Sequence, residues 1–318
     1  MNYVNLGKTS LSVSRIGLGT NAVGGHNLFN SLDEAQGLLL VEEALSKGIN
    51  FIDTADVYGF GRSEELIGQV LAKSNVKRED IILATKGAQQ RQPNGKVMAN
   101  NNPLYLRSAL EASLKRLGTD YVDLYYLHFP DGKTPFAESI GELARLKQEG
   151  KIKEIGISNV SLNQLKEANV EGHIAVLQSP YNMLERTAEY ELLPYCVAQG
   201  ISFIPYGPLA FGILGGKYTA DFKPENGDWR KGNPLFADEA LTSNLHKAEK
   251  LKEFASSMEI ELSDLALAWL LKQTGIDSVI PGGKRPEQVA SNIKANDILL
   301  TSDDLNRINI ILNDKDEK

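Results

Sequence analysis

The sequence predicts an α/β fold, a (β/α)8 TIM barrel, and three observations carry that expectation. Short apolar runs alternate with amphipathic stretches eight times along the 318 residues. Several runs, Ile81-Ile82-Leu83-Ala84 among them, are apolar throughout, as parallel strands buried on both faces are. Polar or ionisable residues follow nearly every run, at the strand end where such barrels carry their sites.

A β-hairpin is expected first, between Tyr3 and Val13, turning at Gly7-Lys8. Barrel strands are expected over residues 16–19, 50–53, 81–86, 122–127, 152–157, 175–178, 202–205 and 278–280. Apolar residues recur at helical spacing over 33–47, 63–73, 103–117, 136–149, 161–168, 187–199, 263–272 and 286–294. Ser63 and Ser161 suit helix starts, because a side-chain oxygen there takes up an unpaired N–H; Pro103 and Pro286 suit a first turn. Gly48, Gly118 and Gly200 suit helix ends, where the backbone turns left-handed. Two further helices, over 245–257 and 302–312, exceed the eightfold count and are expected outside the barrel or at its base.

An open, doubly wound sheet is the competing arrangement. It expects Gly-x-Gly-x-x-Gly in the first βα turn, and Gly17-Leu18-Gly19-Thr20-Asn21 lacks that spacing. No stretch rich in Pro, Gly or Ser divides the chain, so residues 1–318 are read as a single domain.

With 42% hydrophobic and 24% charged residues, the composition is that of a soluble globular protein. A net charge of −7 argues against nonspecific attachment to nucleic acid or anionic membranes, while a local basic patch could still bind one phosphate. Cys196 is the only cysteine, which excludes an intrachain disulfide and a cysteine-cluster zinc site and fits a reducing compartment. It sits in an apolar helical stretch, where core packing accounts for it. Met1 to Ser14 shows no basic-then-apolar leader, and no segment approaches the roughly 18 apolar residues of a membrane span. A cytoplasmic location without an obligate protein partner is therefore expected.

The chemistry concentrates at the strand ends. Asp53 ends the second strand, Tyr58 lies in the turn after it, Lys86 ends the third and His128 follows the fourth. A phenol beside a carboxylate, an ammonium and an imidazole is equipped for acid/base work at a carbonyl. Thr20 and Asn21 follow the first strand, and Ser158-Asn159, Gln178, Tyr206 and Gly282-Gly283-Lys284-Arg285 follow the fifth to eighth. One such residue alone would be a solvated strand end; four compatible groups on successive strands favour a site. His26 and His173 fall in apparent loops and need no functional reading.

The segment Asp53-Thr54-Ala55-x-x-Tyr58-Gly59, the strand-end Lys86 and Tyr126-Leu127-His128 resemble the catalytic tetrad of the aldo-keto reductases. Gly17 to Thr20, Leu117 to Leu124, Gly150 to Asn159 and Gln178 to Asn182 look like further blocks of that family, so the resemblance covers essentially the whole chain. Gly19 to Asn27 and Pro281 to Arg285 look most like the bacterial branch containing the reductases of inositol-utilisation gene clusters.

The resemblance implies NADPH-dependent reduction of a small aldehyde or ketone to an alcohol. Tyr58 would be the general acid, and Lys86 would lower its phenol from an ordinary value near pH ~10. Asp53 would pair with Lys86 and keep it protonated, while His128 would hydrogen-bond and orient the carbonyl. No metal is implied.

Two segments are candidates for holding the cofactor. The glycines of Tyr206-Gly207-Pro208-Leu209-Ala210-Phe211-Gly212-Ile213-Leu214-Gly215-Gly216-Lys217 let backbone N–H groups approach a pyrophosphate closely, although an ordinary surface loop has the same composition. The resemblance implies that this loop folds over the pyrophosphate, that Tyr206 stacks on the nicotinamide, and that Ser158, Asn159 and Gln178 bond its carboxamide. Gly19, Thr20, Asn21 and Asp53 complete that rim. The second segment, Gly282 to Asn292, carries Lys284 and Arg285 ahead of a helix and suits an adenosine 2′-phosphate. Many relatives carry arginine where this chain has Gln288, so NADPH is favoured over NADH less firmly than in those relatives.

A non-catalytic member that uses cofactor occupancy as a signal, like channel-associated subunits resembling this family, is a second reading. A different barrel enzyme, such as a phosphate-sugar isomerase or hydrolase, is a third and would need another acid/base set. Substrate choice is expected in the loops Asn21 to Asn30, Gly87 to Asn102, Phe129 to Pro135 and Lys217 to Leu241. In the last, Trp229 and Phe236 would form either an aromatic lid or packing for the loop.

Overall fold

A computed structural model describes residues 1–29, 31–219, 221–224 and 228–314. Asn30, Ala220 and residues 225–227, which belong to two of the expected substrate loops, lie outside the described residues.

The chain opens with an antiparallel hairpin, β1 (Tyr3–Asn5) and β2 (Ser12–Ser14), in which Tyr3 faces Ser14. Then follow β3 (Leu18–Gly19), α1 (Glu34–Ser46), β4 (Phe51–Asp53), α2 (Arg62–Lys73) and β5 (Ile82–Gly87). A second hairpin, β6 (Gln89–Arg91) and β7 (Val97–Ala99), precedes α3 (Pro103–Leu117), β8 (Val122–Leu127) and α4 (Phe136–Gln148). The rest comprises β9 (Ile152–Ser158), α5 (Leu162–Ala168), β10 (Ile174–Pro180), α6 (Leu192–Gln199), β11 (Ser202–Tyr206), α7 (Asp238–Ser257), α8 (Leu262–Lys272), α9 (Glu287–Ile293) and α10 (Ser302–Asn313).

Seven strands form one parallel sheet in the order β11-β10-β9-β8-β5-β4-β3. The eighth stave is less regular than the sequence suggests. Parallel bridges Phe203↔Ile276, Ile16↔Val279 and Gly19↔Gly282 join residues 276–282 to both edges and close the barrel. Pro281 has no N–H to give, and Gly282 and Gly283 bring no side chains to pack, which reduces the ladder there to single bridges.

Side chains alternate between the two faces of each strand. Phe51, Ile82, Ala84, Leu124, Tyr126, Val176, Ile204 and Ile280 fill the barrel, and Leu6, Leu11 and Val13 of the first hairpin join them from below. The hairpin sits at the N-terminal ends of the strands, where Ser14 N–H donates to Asn50 Oδ1 and Gly7 N–H to Asp277 Oδ2. It plugs the floor and leaves the opposite rim open for chemistry. The alternate residues Ile52, Leu83, Tyr125, Leu127, Ile155, Ile157, Leu177 and Phe203 face outward into the helices. Each fully buried aliphatic or aromatic side chain stabilises the fold by about 1.5–3 kcal/mol.

Local signals set most helix ends. Asn102 Oδ1 accepts from Leu104 N–H ahead of α3, whose Pro103 needs no partner, and Gly118 ends that helix at φ 68°. Ser161 and Gln164 form a reciprocal capping box on α5. Ser63, expected as a cap, lies inside α2, which starts one residue earlier behind the left-handed Gly61. Its hydroxyl instead lies 3.2 Å from Thr20 Oγ1 and takes the hydroxyl proton of Thr54 at 3.0 Å.

The helix expected over 187–199 divides into a 3-10 turn at Thr187–Glu189 and α6, and the one expected from 245 begins at Asp238. In the long segment after β11, Phe236 is buried and packs the loop down, while Trp229 stays partly exposed with its ring edge-on to Phe211 at 5.2 Å. Cys196 is fully buried, and burial pushes its thiol up to about 12, as a packed core thiol requires. His26 and His173 pair with Glu34 and Glu171 in partly exposed positions.

Candidate active site

β4 and β5 are parallel neighbours with Asp53 level with Ala84, so Asp53 and Lys86 arrive at the same rim one turn of pleat apart. Lys86 is fully buried; its Nζ donates to Asp53 Oδ1 and, at 2.7 Å, to the Thr54 carbonyl. The Asp53 carboxylate is also held on its other side, by Gln178 Nε2 at 2.9 Å from Oδ2. Tyr58 stands in a 3-10 turn, Tyr58–Gly61, in which Gly59 and Phe60 both adopt left-handed backbone. Its ring centroid is 5.3 Å from Lys86 Nζ and 6.3 Å from the His128 ring, edge to face. The four residues predicted from strand ends therefore meet in one place.

Below them, Tyr126 points into the barrel under Lys86, with its ring centroid 5.7 Å from Nζ. A Cβ at Gly156 on β9 would stand 2.3 Å from Tyr126 Cδ1, so only glycine leaves room for that ring.

The electrostatics separate the groups. Burial disfavours the Lys86 ammonium, but Asp53 and Tyr58 together outweigh it and hold the group above its ordinary value. Burial pushes the Tyr58 phenol up, and Lys86 opposes that push without reversing it. The net fall expected from Lys86 alone does not occur, because desolvation of a phenolate costs more here than one ammonium returns. Burial, then the Lys86 charge, holds His128 well below the usual imidazole value, so the ring is neutral; its buried Nδ1 has no partner among the described residues.

A second ring of polar residues surrounds these groups. Thr20 donates from Oγ1 to the Asp53 carbonyl at 2.9 Å. Asn159, in left-handed backbone at φ 59°, gives its amide to the His128 carbonyl at 3.0 Å and to Ser158 Oγ at 2.9 Å. It receives the Tyr206 hydroxyl at 2.9 Å, which links the ends of β8, β9 and β11. Gly19 bridges Gly282, and a Cβ on Gly282 would lie 3.1 Å from Asn21 Oδ1, so the first and eighth staves present Asn21 beside bare backbone.

Gly207, Pro208, Leu209, Gly212 and Leu214 lie in one tight segment after β11. Gly207 (φ 63°) and Gly212 (φ 109°) use backbone that side-chain-bearing residues avoid, and Leu214 is buried beneath. Asn182 Nδ2 donates to the Gly207 carbonyl at 3.0 Å and fixes the segment's start. Lys217 is exposed at its far end.

At the eighth stave, Lys284 and Arg285 are exposed, Gly283 and Asn292 buried. Gln288 behaves differently from the expectation of an open helix N-terminus. Its Oε1 accepts from the N–H groups of Lys284 (2.8 Å) and Arg285 (3.1 Å), so those donors are already satisfied.

Three contributors escaped sequence reasoning. The Thr54 carbonyl accepts from Lys86, a backbone role that no residue type signals. Asp56, within the same segment as Asp53 and Tyr58, buries an Oδ1 that has no partner among the described residues. Phe29 carries the Lys284 ammonium 4.6 Å above its ring centroid. A cleft of about 480 Å3 lined by Arg186, Glu189, Asn244, Lys247 and Asn309 includes none of the residues above.

A curled parallel sheet closed at its eighth stave, with a buried lysine–carboxylate pair beneath a tyrosine and a histidine on one rim, defines a barrel oxidoreductase. The chain belongs to the Aldo/keto reductase family, whose model matches residues 15–313. It is 36% identical to aldo-keto reductase YhdN of Bacillus subtilis, over 98% of this chain and 94% of that protein. It is 37% identical to the NADH-specific methylglyoxal reductase of Escherichia coli, over 96% of each. Among solved structures, the glycerol dehydrogenase of Gluconobacter oxydans superposes with a TM-score of 0.89 at 32% identity, covering 99% of this chain and 98% of that one. None of these three carries an inositol-cluster name, so that branch stays an expectation of the sequence. No helix among the described residues is long and apolar enough to cross a membrane.

Proposed function

We propose that this chain is a cytoplasmic, single-domain reductase that uses NADPH to convert a small aldehyde or ketone to an alcohol, with Tyr58 as the general acid. The observation that carries the reading is the buried Lys86 ammonium, bound to Asp53 and 5.3 Å from the Tyr58 ring, with a neutral His128 beside the phenol. When bound, the nicotinamide cofactor supplies the hydride that goes to the carbonyl carbon.

The side chains manage the proton and the oxygen. Tyr58 gives its hydroxyl proton to the carbonyl oxygen, forming the alcohol, and the phenolate left behind is favoured by Lys86 and later reprotonated from water. Asp53 keeps Lys86 charged and fixed. His128 is neutral, so it offers an N–H to the carbonyl oxygen without placing a second full charge beside Lys86. Such acid/base assistance is worth ~10²–10⁴-fold in rate.

The donor set fits a nicotinamide dinucleotide. Ser158, Asn159 and Gln178 offer amides and a hydroxyl to the carboxamide beside Asp53. Tyr206 offers a ring face, and Gly207 to Lys217 offer glycine-rich backbone and a cation to the pyrophosphate. Lys284 and Arg285 offer two cations to a 2′-phosphate, and with Gln288 already engaged, that preference rests on their side chains.

The test is steady-state oxidation of NADPH and of NADH by the purified chain across a panel of aldehydes and ketones. Turnover that favours NADPH supports the proposal. Tight NADPH binding without turnover on any carbonyl would instead favour a regulatory, non-catalytic member.

A further inference from the structure

The face of Phe29 carries the Lys284 ammonium at 4.6 Å from the ring centroid. The two residues come from different sides of the barrel seam. Phe29 lies in the loop after β3, and Lys284 follows the irregular eighth stave that bridges β3. The loop that presents the ring is pinned at several points. Phe29 N–H donates to the Gly25 carbonyl at 3.2 Å, and His26 Nε2 is 2.9 Å from Glu34, which Arg62 also holds. Asn27 Oδ1 accepts from Gly59 N–H at 2.6 Å, which fastens the same loop to the turn bearing Tyr58.

Lys284 needs such a seat. Its backbone is tied to Gln288 and its side chain is exposed; its charge acts on the nearby Asp228 carboxylate, which is itself paired with Arg230. A free lysine spreads its charge over many rotamers, whereas a ring face attracts the ammonium and narrows that spread. The ring holds the ammonium on one side, and an incoming phosphate would compete with Asp228 for its remaining donors.

We propose that Phe29 is a specificity-determining residue for the cofactor. Its ring seats Lys284 so that the chain selects a dinucleotide carrying a 2′-phosphate over one carrying a 2′-hydroxyl. The inference rests on the NADPH reading above and deepens it by naming a residue that touches no phosphate itself. Because the backbone N–H groups of Lys284 and Arg285 are occupied by Gln288, discrimination at this end falls to side-chain charge and to whatever holds that charge in place.

Equilibrium binding of NADPH, NADH and 2′,5′-ADP, followed by calorimetry, tests this without any turnover. Phe29→Leu, which keeps an apolar side chain and removes the ring, is expected to weaken NADPH and 2′,5′-ADP by about three- to fivefold and leave NADH unchanged. Phe29→Tyr should retain the wild-type values. In a Lys284→Met background, Phe29→Leu should have no further effect on NADPH, a coupling that general loosening of the loop would not produce. Equal losses for both dinucleotides, no loss for either, or an undiminished effect without Lys284 would overturn the inference. A wild-type chain that binds NADH as tightly as NADPH would remove the cofactor preference itself, and the inference with it. A wild-type preference for NADPH that is undiminished in Phe29→Leu would remove the inference alone.

Discussion

Gln178 Nε2 donates to Asp53 Oδ2 at 2.9 Å, so the carboxylate that fixes Lys86 through one oxygen is itself fixed through the other. Gln178 is 3% exposed and comes from β10, across the barrel from β4. A side chain expected to bond only the cofactor therefore also belongs to the support of the acid/base pair.

That bond predicts two different outcomes at one position. Gln178→Leu leaves a buried carboxylate oxygen without its donor and should cost about 1.5–3 kcal/mol, read as a lower urea midpoint. Gln178→Glu places a second carboxylate against Asp53, and the two cannot both ionise cheaply. Its kcat/KM for carbonyl reduction should fall with rising pH more steeply than that of the wild type. Parallel pH profiles would show that Gln178 does not act on Asp53.

His128 predicts an acid sensitivity. Its folded-state value is depressed, so below the ordinary 6.5 the unfolded chain takes up a proton that the native ring refuses. Stability from this group is present above that pH and is lost as pH falls through the window below it. The slope is about 1.4 kcal/mol per pH unit until the native ring also titrates. Thermal unfolding from pH 7 down to pH 5 should show the fall, and His128→Gln should lack that component. An unchanged pH dependence in the variant would contradict a buried neutral imidazole.

Asp56 predicts the opposite slope. Burial, then the neighbouring Glu64 carboxylate, raises it well above the ordinary 3.8, with Arg116 and Lys86 opposing. The native state therefore holds a proton that the unfolded chain releases, and stability from this group declines as pH rises from 3.8 toward the raised value. Asp56→Asn removes that decline. The variant should gain on the wild type by about 1.4 kcal/mol per pH unit across that interval. Chemical denaturation at pH 4 and pH 7 measures it; a difference between the two proteins that does not grow with pH would contradict the assignment.

How much of this was legible in the sequence depended on how local each signal is. β5 and β8 announce themselves because both faces are buried, which leaves the unbroken apolar runs Ile81 to Ala84 and Leu124 to Leu127. The hairpin of β6 and β7 did not, because Gln89-Gln90-Arg91 is wholly polar and has no apolar face to alternate with. The eighth stave was expected as a strand from its valine and isoleucine, but Pro281 and two glycines limit it to bridges.

Within the site, Asp53, Tyr58, Lys86 and His128 were legible because each is tied to a strand end. The Gln178 bond to Asp53 spans 125 positions and the contact of Phe29 with Lys284 joins opposite ends of the chain, so neither leaves a spacing to read. The Tyr58 phenol was expected to fall under Lys86; that a buried phenolate costs more than one ammonium offsets depends on three-dimensional burial.

In the proposed reaction Tyr58 supplies the proton to the carbonyl oxygen. Tyr58→Phe keeps the ring that packs near Lys86 and His128 and removes only the hydroxyl. Measured side by side with the wild type, kcat for NADPH-driven reduction of a responsive aldehyde should fall ~10²–10⁴-fold while the Kd for NADPH, from fluorescence titration, stays unchanged. Full turnover by Tyr58→Phe, with the cofactor bound normally, would contradict the mechanism outright.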